Sequence, residues 1–156
     1  MAKCGYTVPT GGAVALGAGV VKSVVGVKGH ANFGLDLKKI RLGFDGVVAS
    51  AVPAAVTLEY CTFATNSPGT ASTTITPAQA YGRVTAAGFT AAKTWTTEPT
   101  ALTVLDEWLV SPNSSTVLYD LPLGDSPDSA VAEGWVVRIN APAAVNVRMA
   151  LWVERA

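Results

Sequence analysis

The sequence predicts an all-β fold: an antiparallel, jelly-roll-like β-sandwich of about eight strands with a flexible N-terminal arm. Three observations predict it. Helical periodicity is nearly absent, whereas Thr and Val are frequent. Pro and Gly recur at short intervals, with runs that alternate apolar and polar residues between them. Hydrophobic residues make up 49% of the 156 positions and charged residues 14%, against about 25% charged in an average soluble domain. The chain can bury one core, and its surface is short of charge. Another antiparallel sandwich, with the same strands in a different order, fits the same observations.

Residues 1–22 read as the arm. The most apolar stretch starts at Thr10 and ends at Val27, but Gly11, Gly12, Gly17, Gly19, Gly26 and Lys22 interrupt it. These residues make it a poor membrane span and a poor signal peptide, and glycine weakens any free helix. Residues 23–156 are expected to form one domain, with a first strand over 23–29. Leu35 and Leu37 begin a second strand, which Ile40, Leu42 and Phe44 continue in the opposite phase. One extra residue at Lys38-Lys39, as in a β-bulge, accounts for the slip, and Asp45-Gly46 reads as a turn. Val56, Leu58 and Tyr60 form one face of the next strand, with Thr57, Glu59, Cys61 and Phe63 on the other. Weaker strands follow over 72–76, 80–85 and 90–95.

Two hairpins are expected after that. The first joins 102–110 to 116–121 through the turn residues 111–115. The second joins a strand with Trp135, Val137 and Ile139 on one face to the clearest strand of the chain. There Val145, Val147, Met149, Leu151 and Val153 alternate with Asn146, Arg148, Ala150, Trp152 and Glu154.

Chemistry-bearing constellations are missing, so no catalytic residue, cofactor or metal ligand is assigned and the chain is read as a non-enzyme. His30 is the single histidine, and with Cys4 and Cys61 it lacks zinc-site spacing. The two cysteines read as a reduced pair. Val21 stands before Lys22-Ser23 where a phosphate loop needs glycine, and Gly17-Ala18-Gly19 lacks the third glycine of a dinucleotide fingerprint. Asp120, Asp125 and Asp128 could offer oxygens to calcium, but their spacing is not that of an EF-hand, and Gly124 with Pro127 suits a plain turn. Asp106-Glu107 lies within a strand, which turns the two carboxylates to opposite faces. Asn113 begins a glycosylation sequon. A formal net charge of +0 argues against nucleic acid as a partner.

Zero net charge conceals a segregation. Residues 1–43 hold Lys3, Lys22, Lys28, Lys38, Lys39 and Arg41 against Asp36 alone. Residues 98–133 hold Glu98, Asp106, Glu107, Asp120, Asp125, Asp128 and Glu133 with no lysine or arginine. Such patches either steer identical subunits together or cancel within one subunit. On the last strand Trp152 points away from the core with Arg148 four residues before it. Both residue types are enriched at interface hot spots, so Arg148 and Trp152 are expected at a subunit interface. Trp108 and Trp135 read as core. An exposed Trp95, with Tyr81, could stack on a sugar.

The blocks at 37–46, 97–112, 121–124 and 138–147 (for example Leu37-Lys-Lys-Ile-Arg-Leu-Gly-Phe-Asp-Gly46) are strand and turn patterns that resemble small virion structural proteins of tailed bacteriophages, especially those of actinobacteria. The resemblance runs from about residue 35 to the C-terminus. It implies a capsid decoration or cement protein: a compact, often trimeric β domain on the outer surface of the phage head, made in the host cytoplasm. Its partners would be further copies of itself and the major capsid protein. Such proteins often attach through a terminal arm, so Lys3, Tyr6, Val8, Val14, Leu16 and Lys22 are the expected capsid-binding arm residues. The alternative is a head spike or fibre module that recognises host glycans.

Overall fold

The computed structural model describes residues 4–45, 52–61, 69–100, 102–113, 116–122 and 125–156. All its regular elements among these residues are strands: β1 (Gly5–Pro9), β2 (Val14–Leu16), β3 (Val21–Lys28), β4 (Leu35–Asp45), β5 (Ala54–Cys61), β6 (Thr70–Ile75), β7 (Ala78–Tyr81), β8 (Thr90–Thr97), β9 (Thr103–Val110), β10 (Thr116–Asp120), β11 (Gly134–Asn140) and β12 (Val145–Arg155). They form two antiparallel sheets packed face to face. The first has the order β10-β4-β12-β1-β7, with β2 also on β12; the second has the order β6-β8-β3-β11-β5-β9. Among the described residues the strands number twelve, against about eight expected.

The core lies between the sheets. Burial in β12 follows the alternation of its sequence: Val145, Val147, Met149, Leu151 and Val153 are buried, and Asn146 and Arg148 are exposed. Trp135, Val137 and Ile139 of β11 face them from the second sheet's inner side. The phase slip in β4 is a bulge, because Trp152 pairs with Lys39 while Val153 pairs with Leu37, leaving Lys38 extra. That bulge keeps Leu35, Leu37, Ile40, Leu42 and Phe44 all on the core side. The Asp45-Gly46 turn and Phe63 fall outside the described residues.

The flexible arm is a correction. Tyr6 and Val8 are buried in β1, a central strand of the first sheet between β12 and β7. Val14 and Leu16 are buried in β2, which continues along the same edge of β12. β1 and β2 together are thus one long strand, interrupted where residues 10–13 loop out. Gly11 and Gly19 have φ of 66°, the left-handed region that favours glycine. The glycines that looked like flexibility are the turns between short strands. The Tyr6 hydroxyl donates to the carbonyls of Thr85 (3.1 Å) and Ala86 (3.3 Å), and its ring meets Phe89 edge-on at 5.5 Å. Lys22 is half-buried in β3, and Lys3 lies outside the described residues.

Both expected hairpins are corrections too. β11 belongs to the second sheet and β12 to the first, so residues 141–144 carry the chain across the sandwich. β9 and β10 are split in the same way. They meet at the flank instead: the Trp108 and Tyr119 rings stack at 5.3 Å, and the Tyr119 hydroxyl donates to Asp106 at 2.6 Å. An inward apolar face is common to a hairpin partner and to a strand facing across the core, so alternation alone does not distinguish them. Among the described residues, no two strands consecutive in the chain pair with each other.

A candidate interaction surface

The register of the first sheet sets its outer face in rows. Thr116, Gly43 and Arg148 form one row; Leu118, Arg41, Ala150 and Pro9 form the next. Asp120, Lys39, Trp152 and Thr7 form the third. Arg41 and Arg148 are therefore diagonal neighbours across β4 and β12. Gly43 and Ala150 between them are small, which leaves a depression of about 450 Å³ walled on one side by Gly11 and Gly12 of the β1–β2 loop.

Arg148 is exposed and pairs with Asp45 at 3.2 Å. Trp152 is half-buried, with the Lys39 ammonium 5.9 Å from its ring centroid. The same ammonium pairs with Asp120 at 3.2 Å. The two residues expected at an interface thus share one open face, with Ala150 between them. The charge segregation partly cancels within the subunit: Lys39 meets Asp120, and Lys38 meets Asp36 at 3.2 Å and Glu154 at 3.6 Å. Arg41 is exposed and makes no ion pair among the described residues. Leu118 beside it is 56% exposed. Sequence reading missed both as interface residues. Their signal is the strand period, which puts Arg41 and Leu118 opposite the inward Ile40, Leu42, Val117 and Tyr119.

Part of the outer face of the second sheet is covered by the chain itself, while Val104 and Leu109 of β9 stay exposed on it. Trp95 lies over Gly26, where a Cβ would sit 3.1 Å from the indole and 3.0 Å from Val136. The Glu98 carboxylate accepts from the Ser23 amide (3.0 Å) and the Ser23 hydroxyl, and lies 3.9 Å from Arg138. Arg138 also pairs with the buried Glu59 at 3.4 Å. No local pattern could reveal this network, because its members are far apart in sequence. Trp95 is half-buried and borders a second depression of about 290 Å³, floored by Gly26, Ala92 and Thr74. Tyr81 lies on the other sheet, 47% exposed, with its hydroxyl donating to Glu154. Burial and that hydrogen bond raise its pKa. The structure does not bring Trp95 and Tyr81 into one site.

The remaining candidates are dispersed. His30 is exposed and stacks on Phe33 at 5.1 Å. Cys4 and Cys61 are free thiols, Cys4 half-buried and Cys61 buried. Burial and then the Glu59 charge push the Cys61 thiol up to about 11. Asp125 and Asp128 are exposed, and Asp128 bridges to Asp36 through the backbone. No three His, Cys, Asp or Glu side chains converge as a metal site among the described residues. Glu107 is exposed while Asp106 turns to Tyr119; that bond, burial and the Asp106 charge raise the Tyr119 pKa. Comparison with protein-family models, with curated proteins and with solved structures returns no match.

Proposed function

We propose that this chain is a non-enzymatic virion structural protein, a decoration or cement protein that binds the outer surface of a phage head as a homo-oligomer and stabilises it. The observation that carries the reading is the uncovered outer face of the first sheet, where Trp152, Arg148, Arg41 and Leu118 stand together. Tryptophan and arginine supply most binding energy at interfaces. The resemblance of residues 35–156 to phage structural proteins supplies the partner: the major capsid protein. Jelly-roll topology belongs to the same proposal. It is supported by the way β2, β3, β4 and β5 pass from sheet to sheet, as do β9 to β12.

The mechanism is mechanical. A protein that binds only the assembled shell stabilises it by mass action. Attachment runs through the sheet face, since Tyr6, Val8, Val14 and Leu16, first expected in an arm, are core. The test is co-sedimentation of the purified protein with undecorated heads, followed by imaging of the particles. Saturable binding on the outer surface, abolished by Trp152→Ala with Arg148→Ala, is expected. Absence of binding at micromolar concentration would sink the reading.

One observation favours glycan recognition as a second reading: the half-buried Trp95 beside its depression. Sugars stack on such indoles. A glycan array with the wild type and Trp95→Ala decides it, and binding indifferent to that substitution counts against it.

A further inference from the structure

Among the described residues, five strands are paired on one side only: β10, β7 and the three-residue β2 in the first sheet, β9 and β6 in the second. Open edges template pairing with another chain unless something blocks them. β7 is short, at four residues. β6 is polar over Thr70–Thr74, with no large apolar side chain exposed. β9 exposes Val104, Leu105 and Leu109, but it carries Asp106 and Glu107 at its centre. Two copies of β9 paired about a two-fold axis there would set these carboxylates against each other, a destabilising arrangement.

β10 has the opposite character. Antiparallel pairing of two copies about Leu118 places Leu118 against its own copy and Thr116 opposite Asp120. No like charges meet. The charges are complementary one strand further in. Thr116, Leu118 and Asp120 share the outer face, and Arg41 stands beside Leu118 on β4. In the paired sheet, Asp120 of one copy would lie two strands and two residues from Arg41 of the other. That is about 12 Å between Cα atoms, within the combined reach of an arginine and an aspartate. Arg41 makes no ion pair among the described residues of its own chain, and Asp120 is 62% exposed beside Lys39.

We infer that a second copy of this chain is the occupant of the β10 edge. The first sheets of two copies join into one continuous sheet, with Leu118 at the two-fold axis and reciprocal Arg41–Asp120 pairs on either side. This deepens the homo-oligomeric part of the proposed function and rests on it only there.

The test is sedimentation equilibrium of the full chain up to about 1 mM, in low salt and in 0.5 M salt. A mass twice the 16.0 kDa of one chain is expected, with weaker association in high salt. Leu118→Lys should raise the dissociation constant at least about tenfold, because it sets two ammonium groups together. Arg41→Asp and Asp120→Arg should each do the same. The double variant should return to within about threefold of wild type, since the pair is regenerated with its signs exchanged. The three substituted positions, 41, 118 and 120, are all exposed, and circular dichroism checks that each variant keeps the fold. A monomer at every concentration, a mass of three chains, or a double variant no tighter than the single ones overturns the inference. A dimer that fails to bind heads leaves the inference standing and sinks the decoration reading alone.

Discussion

On the second sheet, Trp95 and Glu98 lie over part of the outer face, where Ser23, Val136 and Glu59 are buried, while Val104 and Leu109 stay exposed at the β9 side. On the first sheet the Tyr81 ring lies over Gly5 and reaches Glu154, but nothing among the described residues crosses the rows of Arg41 and Arg148. Arg41, Arg148, Leu118 and Asp120 stand in water there, and Trp152 beside them is half-buried among its neighbours. Each sheet is closed by the core on its inner side, so the difference concerns the outer sides alone. The chain spends its own residues to cover the centre of one face and leaves the centre of the other bare. A bare face that holds a tryptophan and two arginines is where binding energy is available to a partner. The covered face serves stability.

Four measurements test that contrast. The largest effect belongs to neither face. Deleting residues 2–22 removes β1 and β2, and with them the neighbours of β12 on one side and four buried apolar side chains. Each such side chain contributes roughly 1.5–3 kcal/mol, and the sum approaches the whole stability of a domain. The truncated chain is expected to lose its cooperative thermal transition; a folded truncated domain would restore the arm. Next is Glu98→Ala, which leaves the Ser23 amide and hydroxyl and Arg138 without their carboxylate. A cost of about 2 kcal/mol is expected, read from the urea midpoint, with Trp95 fluorescence shifting to the red as the cover loosens. A neutral result would mean that this cover stabilises nothing.

Cys61 tests the second sheet by pH. Its folded pKa, about 11, stands above the thiol's ordinary 9.0. The neutral thiol is therefore favoured by folding. That stability is fully present below pH 9 and is lost as pH rises through about 11. At pH 8 a thiol reagent should modify Cys61 only after denaturation; rapid native reaction would show that this end of the sheet opens. The smallest effect is on the bare face. Arg148→Ala removes an ion pair whose partners are 62% and 52% exposed. Such a pair is worth under about 1 kcal/mol, so the melting temperature should barely move while head binding falls. A large loss of stability would make Arg148 a structural residue.

Residues whose neighbours in the chain determine their role were legible in the sequence. The alternation of β12, the bulge at Lys38 and the core placement of Trp135 each follow from local pattern, because the strand period and its slip are local quantities. Tyr6 and Val8 were not legible. Two apolar residues make too short a run to show a period, and the glycines at 11, 12, 17 and 19 dominate the segment. The hairpins were misread because an inward face says what a strand buries and not what it pairs with. The interaction surface was half legible. Arg148 and Trp152 lie on the strongest strand, whereas Arg41 and Leu118 gain their meaning only when β4 and β10 are laid beside it. The Glu98–Arg138–Glu59 network had no local signal at all.

The lack of pairing between consecutive strands has a consequence in time. A hairpin closes as soon as its second strand is made, but here each ladder waits for a strand further along the chain. β12 is the extreme case, since β1 and β4 of the first sheet flank it and neither has its central partner until residues 145–155 exist. Closing such long loops before any contact repays them makes folding slow, on the order of milliseconds to seconds. The nascent chain is expected to stay open on the ribosome until β12 emerges, with its apolar strands exposed throughout. Protease resistance that sets in at shorter nascent lengths would show that the second sheet assembles without waiting for the first.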